Sequence, residues 1–589
     1  MSEEPPAFTA LAATLRDALL RDACLLSLKE ISRADSILVD VLAELRRHRN
    51  TRSPVDRLPP ELLGRIFAHL SPDESQYVLY DPPLAKTRKR LVPTTPLLIV
   101  TNVYSKWRAV SLSTPSLWTR IDDHNPRELE AFLIRSKSMP VSLCLSSLNF
   151  PSMKTRLKSV TNRLRRLDVS PSAPGSDRVD ISAHLDFEAP MLECLTLVLH
   201  ERPRDAGSGI PRQRVLSWGA HSPLRALAMT SPYCWLPGDR FPHLTHLDLR
   251  HVSWDEWKEL AGFLLTFLAH TPVLQYLHLA NIPRTLATQP PSSPPIVILS
   301  SLRALLLSGA EADLAFNLFK LIEFPNNVRL RLEHIHGLER ESVRSYAIAL
   351  APEILALGFT SMDLAFGDKG ILLVVEGRES GFWIQNGPHE DEDTRHWLHA
   401  GMWISELHLL LPVHAIEALR VSATWYTVIW GDLLARMVGL RALLVIVRGA
   451  RVSEYVHMVH GILRALTNPA CCPELDSLTL CVDAAVLDKW SPSELRDMLA
   501  ARAHGNASLR HVVLEFSGQG VGASADSTAS FLRDVEGAFS QAEEYVEELQ
   551  IVVREGGLRS LVIRDVWRLE GFEKYWQIPS LHNLDATMW

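Results

Sequence analysis

The sequence predicts an α/β chain: helices first, then a long array of short parallel strands with helices on its outer side. Three observations lead there. The chain has 589 residues, well past the size at which a single core stops growing. From about residue 140 onward a Leu-x-x-Leu-x-Leu unit recurs. The first 120 residues lack that unit and show helical spacing instead. Hydrophobic residues make up 47% and charged residues 22%, a balance that fits a folded chain and not a disordered one.

Taken in order, residues 9–49 read as one long helix. Ile31, Ala34, Leu38, Val41 and Leu45 alternate three- and four-residue steps, a short heptad-like stripe. The stripe suits packing on the segment that follows, and it also suits pairing with a second copy. Arg46-Arg47-His48-Arg49-Asn50-Thr51-Arg52 closes the helix before Pro54.

Residues 53–121 form the next unit. Pro59 and Pro60 open an apolar run, as proline does in a first helical turn. Leu62, Leu63, Ile66, Phe67 and Leu70 then share one helical face. A second run carries Val100, Val103, Trp107 and Val110 and ends in Ser113-Thr114-Pro115-Ser116-Leu117-Trp118. An insert at 71–95 separates the two halves and holds Lys86, Arg88, Lys89 and Arg90 among prolines. Such a basic cluster serves nuclear import or phosphate contact in some proteins and is a solvated loop in most.

The pattern Leu58-Pro59-x-Glu61-Leu62, Ile66-Phe67-x-x-Leu70, Val103-x-x-x-Trp107-Arg108 and Leu117-Trp118 resembles an F-box, in the style of the large F-box families of mushroom-forming fungi. Two departures stand out: Tyr104 where the family usually has cysteine, and the long insert. The resemblance implies a three-helix module that docks a Skp-type adaptor, and through it a cullin. It assigns the docking to Leu58, Pro59, Leu62, Ile66, Phe67, Val103 and Trp107.

Residues 140–589 carry the repeat. Units begin at 164, 192, 224, 244, 274 and 302, in steps of 28, 32, 20, 30 and 28. After a break around 350–400 they resume at 404, 440, 475 and 509, in steps of 36, 35 and 34, with a last unit at Leu558-Leu561-Ile563. This is the signature of an irregular leucine-rich repeat solenoid, in which each strand needs its neighbours to bury its leucines. Helices are expected between strands, with Trp254, Trp257, Leu260, Leu264 and Phe267 along one and Ser491-Pro492-Ser493-Glu494 opening another. Inside the break, Gly370–Gly377 and Gly381–Ile384 read as two strands about a charged turn. His389-Glu390-Asp391-Glu392-Asp393 reads as an acidic loop.

Catalytic signatures are missing. No Gly-x-Ser-x-Gly, His-Glu-x-x-His or phosphate-loop pattern occurs, so no enzyme is expected. Ser517-Gly518-Gln519-Gly520-Val521-Gly522-Ala523 looks like a pyrophosphate-binding turn, but it lacks the partner strand with a ribose-binding acid and reads as a flexible loop. Seven cysteines are scattered with no Cys-x-x-Cys pair, so neither a metal nor another cofactor is expected. The net charge of −7 and the absence of a basic stripe argue against nucleic acid. No apolar run nears the roughly 20 residues that span a bilayer. The acidic Met-Ser-Glu-Glu-Pro-Pro start lacks a leader's apolar core, which leads to an expectation of the cytoplasm and/or nucleus.

If alternate strand residues face the concave side, His246, Asp248, Arg250, Tyr276 and His278 fall side by side on two adjacent strands. Such a patch could read a target peptide, or could be a solvated strand surface. Together these features suggest the substrate-recognition subunit of an SCF-type cullin ubiquitin ligase. The alternative is an F-box and leucine-rich repeat scaffold that works outside any ligase.

Overall fold

The chain is described from a computed structural model, covering residues 7–22, 24–70, 92, 94–145, 159–169, 185, 187–198, 223–230, 240–250, 264–281, 296–310, 312–335, 357–367, 370–386, 404, 406–423, 430–447, 452–483, 492–517, 533, 535–537, 539–554, 561, 567 and 570–578. It is a mixed α/β protein with N-terminal helices and one large, mostly parallel sheet. Two compact units emerge: residues 1–72, 92–119 and 131–139 form a helical unit, and residues 73–91, 120–130 and 140–589 form the sheet unit. Among the described residues no helix is long and apolar enough to cross a membrane.

In the helical unit, the helix expected over 9–49 is two helices, α1 (Ala7–Asp22) and α2 (Leu28–Thr51). The break has a local cause. Ser27 caps α2 through a capping box with Glu30, and a Ser-x-x-Glu pattern starts a helix more firmly than a leucine stripe continues one. Beyond it, α3 (Pro60–Ala68), α4 (Thr95–Val103) and α5 (Ser105–Ser113) enclose a core of Leu63, Phe67, Leu97, Val100, Val110, Leu117 and Trp118. The Trp118 indole N–H donates to the Ser111 carbonyl at 2.8 Å, and its ring meets Phe132 edge-on at 4.8 Å.

The sheet unit contains β1 (Arg120–Asp122), β2 (Val141–Leu145), β3 (Leu164–Val169), β4 (Cys194–Val198), β5 (Ala226–Thr230), β6 (His246–Arg250), β7 (Tyr276–Ala280), β8 (Val297–Ile298), β9 (Ala304–Ser308), β10 (Ile322–Glu323) and β11 (Arg329–Glu333). It continues through β12 (Phe359–Gly367), β13 (Gly370–Gly377), β14 (Gly381–Asn386), β15 (Ala418–Ala423), β16 (Ala442–Val447), β17 (Ser477–Asp483), β18 (His511–Ser517) and β19 (Glu548–Arg554). β8 and β10 pair with each other as a small separate ribbon. The remaining 17 form one ladder, β1-β2-β3-β4-β5-β6-β7-β9-β11-β14-β13-β12-β15-β16-β17-β18-β19. Every pairing is parallel except those of β13, which runs antiparallel to β12 and β14.

Register explains the leucine pattern. The middle leucine of each unit pairs with the middle leucine of the next, from Leu167 through Leu195, Leu227, Leu247, Leu277 and Leu305 to Leu330. The row then crosses the antiparallel insert as Phe382, Val375 and Met362, and resumes at Leu419, Leu443, Leu478, Val512 and Leu549. The last apolar residue of each unit builds a second row the same way. Side chains alternate faces along a strand, so both rows lie on one face, here termed the core face. At the N-terminal ends of the strands, backbone bonds link successive turns: Arg225 N–H to the Glu193 carbonyl, Thr245 to Arg225, Gln275 to Thr245 and Arg303 to Gln275.

The break at 350–400 is real but does not interrupt the sheet. Both expected strands are present, and β12, unforeseen, completes a three-stranded meander. Two expected units are corrected. Leu407–Leu410 is a helical turn ending at Leu411-Pro412, where proline has no N–H to give a ladder; the strand is β15, with Leu419 and Val421, and Ile416 is buried just before it. Among the described residues the last strand is β19, carrying Leu549 and Ile551; Leu561 lies outside any strand, and Leu558 and Ile563 lie outside the described residues. Strands β2 and β11 were missed because Pro140 and Asn327 replace the leading leucine. Of the expected helices, Pro492–His504 forms, and 264–269 is helical with Leu264 and Phe267 buried. The basic insert, the acidic loop, the glycine-rich turn after Ser517 and residues 251–263 lie outside the described residues.

Between β16 and β18 a fully buried arginine ties the connecting turns together. Arg502 donates from Nε to the Ala507 carbonyl at 3.0 Å, from Nη1 to Cys471 at 2.9 Å and Leu466 at 3.4 Å, and from Nη2 to Cys472 at 2.8 Å. Burial lowers its affinity for the proton, and the carbonyls replace the lost water. Arg502→Leu keeps the bulk and strands these acceptors. The expected loss is about 3 kcal/mol or more, read as a lower urea midpoint for the sheet unit.

Candidate functional site

The residues singled out in the sequence lie on both units. On the helical unit the residues assigned to adaptor docking fall into two sets. Leu62, Ile66 and Val103 are 43%, 48% and 50% exposed, with Ile99 beside them in sequence terms on α4 at 58%. Pro59 is exposed and Leu58 half-buried. Phe67 is 1% exposed and belongs to the unit's own core, because its position on α3 turns it toward Trp107, whose ring lies 5.1 Å away. Trp107 is half-buried and also packs on Tyr104 at 5.7 Å. Phe67 and Trp107 therefore join α3 to α5 inside the unit. The Lys106 ammonium donates to the Leu58 carbonyl at 3.4 Å and ties α5 to the Leu58-Pro59 turn.

On the sheet unit, the face opposite the core face carries the other candidates. Here β6 and β7 pair in register, so His246 stands beside Tyr276, and Asp248 beside His278. The five residues do come together. They are not an open, solvated patch: His246, Asp248 and His278 are buried, and Tyr276 and Arg250 are half-buried. The burial comes from the chain's own segment 571–578. Phe572, Tyr575, Trp576 and Ile578 pack on Cys194, Ala226, Ala228, Ala304 and Leu306, with Tyr276 alongside. The small side chains at these outward positions make room for the large rings.

Polar groups hold the same segment. His246 lies 2.7 Å from the Gly571 carbonyl through Nε2. A carbonyl only accepts, so Nε2 carries the proton. Its ring stacks at 4.6 Å on Tyr276 and meets Tyr575 edge-on at 4.9 Å. At Gly571 a Cβ would stand 2.0 Å from the Tyr276 hydroxyl, so a larger residue there has to displace that side chain. Arg166 donates to the Tyr575 carbonyl at 2.6 Å while paired with Asp168 at 2.7 Å. Farther along the ladder, Arg331 donates to the Trp567 carbonyl at 3.0 Å and is paired with Glu333. Trp567 in turn donates from its indole to Glu376 at 2.7 Å and packs on Trp383 at 5.3 Å.

Asp248 accepts from both nitrogens of the Arg250 fork, at 2.8 and 3.0 Å, and from His278 Nδ1 at 2.8 Å. Burial alone would raise its pKa, but these two partners outweigh it and hold it at about 2. His246 moves the other way. Burial first, then the Lys574 charge, outweigh the Gly571 bond and lower it to about 4. Burial likewise pushes the Tyr575 phenol up to about 12.

Sequence reasoning missed Arg166, Arg331, Glu376, Gly571, Tyr575 and Trp576. One signal was available. Trp567, Phe572, Tyr575 and Trp576 crowd a stretch without a repeat unit, while alanines occupy outward strand positions that otherwise carry polar residues.

The His246 shift has a sign. Above pH 6.5 the ring is neutral whether or not the segment covers it. Between about 6.5 and about 4, only an uncovered ring takes up a proton. Acid therefore favours release, by up to about tenfold per pH unit in that window. Nuclear magnetic resonance should find His246 titrating near 4 in the intact chain, and proteolysis of 567–578 should be faster at pH 5 than at pH 7.5. No model of a known protein family matches the chain, and no curated protein matches it as a relative.

Proposed function

We propose that the chain is a substrate-recognition subunit of an SCF-type cullin ubiquitin ligase. In this reading the helical unit is an F-box and docks a Skp-type adaptor. The sheet unit is an irregular leucine-rich repeat solenoid and captures a target protein. The chain does no chemistry itself. Ubiquitin transfer belongs to the E2 enzyme brought by the partners, and this protein raises the local concentration of target near it.

One observation carries the reading. Leu62, Ile66, Ile99 and Val103 are 43–58% exposed on a helical unit whose core is complete without them. Large aliphatic side chains left exposed on both α3 and α4 suit a unit that meets another protein. The residues Leu58-Pro59-x-Glu61-Leu62 and Val103-x-x-x-Trp107-Arg108 give that unit the F-box pattern.

Pull-down with a Skp-type adaptor tests this. Ile66→Ala and Val103→Ala are each expected to weaken capture by about tenfold or more, with unchanged thermal stability. Phe67→Ala is expected to destabilise the helical unit by about 3–5 kcal/mol. Full adaptor capture by an Ile66→Asp, Val103→Asp double variant would end the ligase reading.

A further inference from the structure

Between β3 and β11 the sheet grips main chain. Arg166, His246 and Arg331 donate to the carbonyls of Tyr575, Gly571 and Trp567. The acceptors lie four residues apart. The donors sit on every third strand of the ladder, β3, β6 and β11. Every peptide has carbonyls, so this comb suits any chain that crosses the sheet here. Selectivity comes from the spaces between: a floor of Cys194, Ala226, Ala228 and Ala304 that takes large rings, and the Tyr276 hydroxyl, whose present position favours glycine at 571.

The chain's own segment does not complete this site. The Thr196 hydroxyl is buried without a partner, as are Asp168 Oδ1 and the indole N–H of Trp576. Thr196 and Asp168 are 1% and 4% exposed. They pair in register and share the face of Cys194, which Trp576 helps to cover. A buried polar group without a partner is costly, so a better-matched occupant has room to win.

We infer that this face is a peptide-binding site, that Trp567–Ile578 is its exchangeable built-in occupant, and that its ligand is a protein segment bearing glycine and large aromatics spaced as in Gly571-Phe572-x-x-Tyr575-Trp576, with a hydrogen-bond donor for Asp168 and Thr196. The inference rests on reading the sheet unit as the target-capturing part of the protein. It is independent of adaptor docking. Occupancy by its own segment keeps the face closed to weak partners and opens it to a segment that satisfies the orphaned groups.

The test uses the full chain and a fluorescent synthetic peptide of its own residues 565–580. A Tyr575→Ser, Trp576→Ser variant loses its own occupant. It should bind the peptide about 30-fold more tightly than the unsubstituted chain, because more of the protein is free to bind. Adding Arg166→Gln should remove about tenfold of that affinity, and a peptide with alanine in place of Gly571 should not bind. A folded variant that binds no better than the unsubstituted chain overturns the inference. Hydrogen exchange on the unsubstituted chain decides if the variant fails to fold. Amides of 571–578 should then open locally, about 100-fold more often than those of β5 to β7. Equal protection, with equal denaturant dependence, makes the segment a fixed part of the fold and also overturns the inference. Adaptor pull-down run alongside separates this failure from failure of the ligase reading.

Discussion

The sheet unit depends on two rows of aliphatic side chains that no single strand can bury. Each strand exposes one short stripe of leucine, and only the neighbour on either side covers it. Burying such a side chain contributes roughly 1.5–3 kcal/mol, so the rows reward every added strand and penalise every gap. The antiparallel insert shows how strict the constraint is. Strand direction reverses at β13, yet Phe382, Val375 and Met362 keep the middle row, and Ile384, Leu373 and Leu364 keep the other. Period-two alternation does not depend on strand direction, so the hydrophobic match survives where the polarity does not.

With one face committed to leucine, the opposite face is free to vary, and it carries the distinctive chemistry. It holds Arg166, Asp168, Asp248, His278, Arg331 and Glu333, all buried. Charges in such a place persist only when paired or bonded. Here a connected line runs from Arg250 to Asp248 to His278, and through Ser308 to Glu333. What removes this line from water is a tail of aromatic residues far away in sequence. The helical unit shows the opposite arrangement: its core is sealed and its leftover aliphatic residues face outward.

Much of this was legible from spacing. Units opening at 164, 192, 224, 244, 274, 302, 440, 475 and 509 each introduce a strand. Period-two leucines are a local signal, and local signals transfer to structure. The failures came where local spacing was ambiguous or silent. Leu407-x-Leu409 lies in a run so rich in leucine that it fits a helical turn equally well, and Pro412 decided between them. The side-by-side placement of His246, Asp248, Tyr276 and His278 followed from strand register. Their burial did not, because it is set by residues more than 290 positions later, and no periodicity reports a contact of that range. The burial of Phe67 was silent for a related reason: a helical face marks which residues share a side, not whether that side turns inward.

The meander also sets a condition on assembly. Strand β12 comes first in the chain but lies farthest from β11, three places along the ladder with β14 and β13 between them. Stacked arrays ordinarily grow by zipping each strand onto its predecessor. Here that zipper stalls at β11, whose next neighbour, β14, is the last of the three to be made. The antiparallel trio must close on itself before the strands ahead of it and those behind it share an edge. A continuous sheet therefore requires the whole meander, since the pairings of β14, β13 and β12 carry the ladder from β11 to β15.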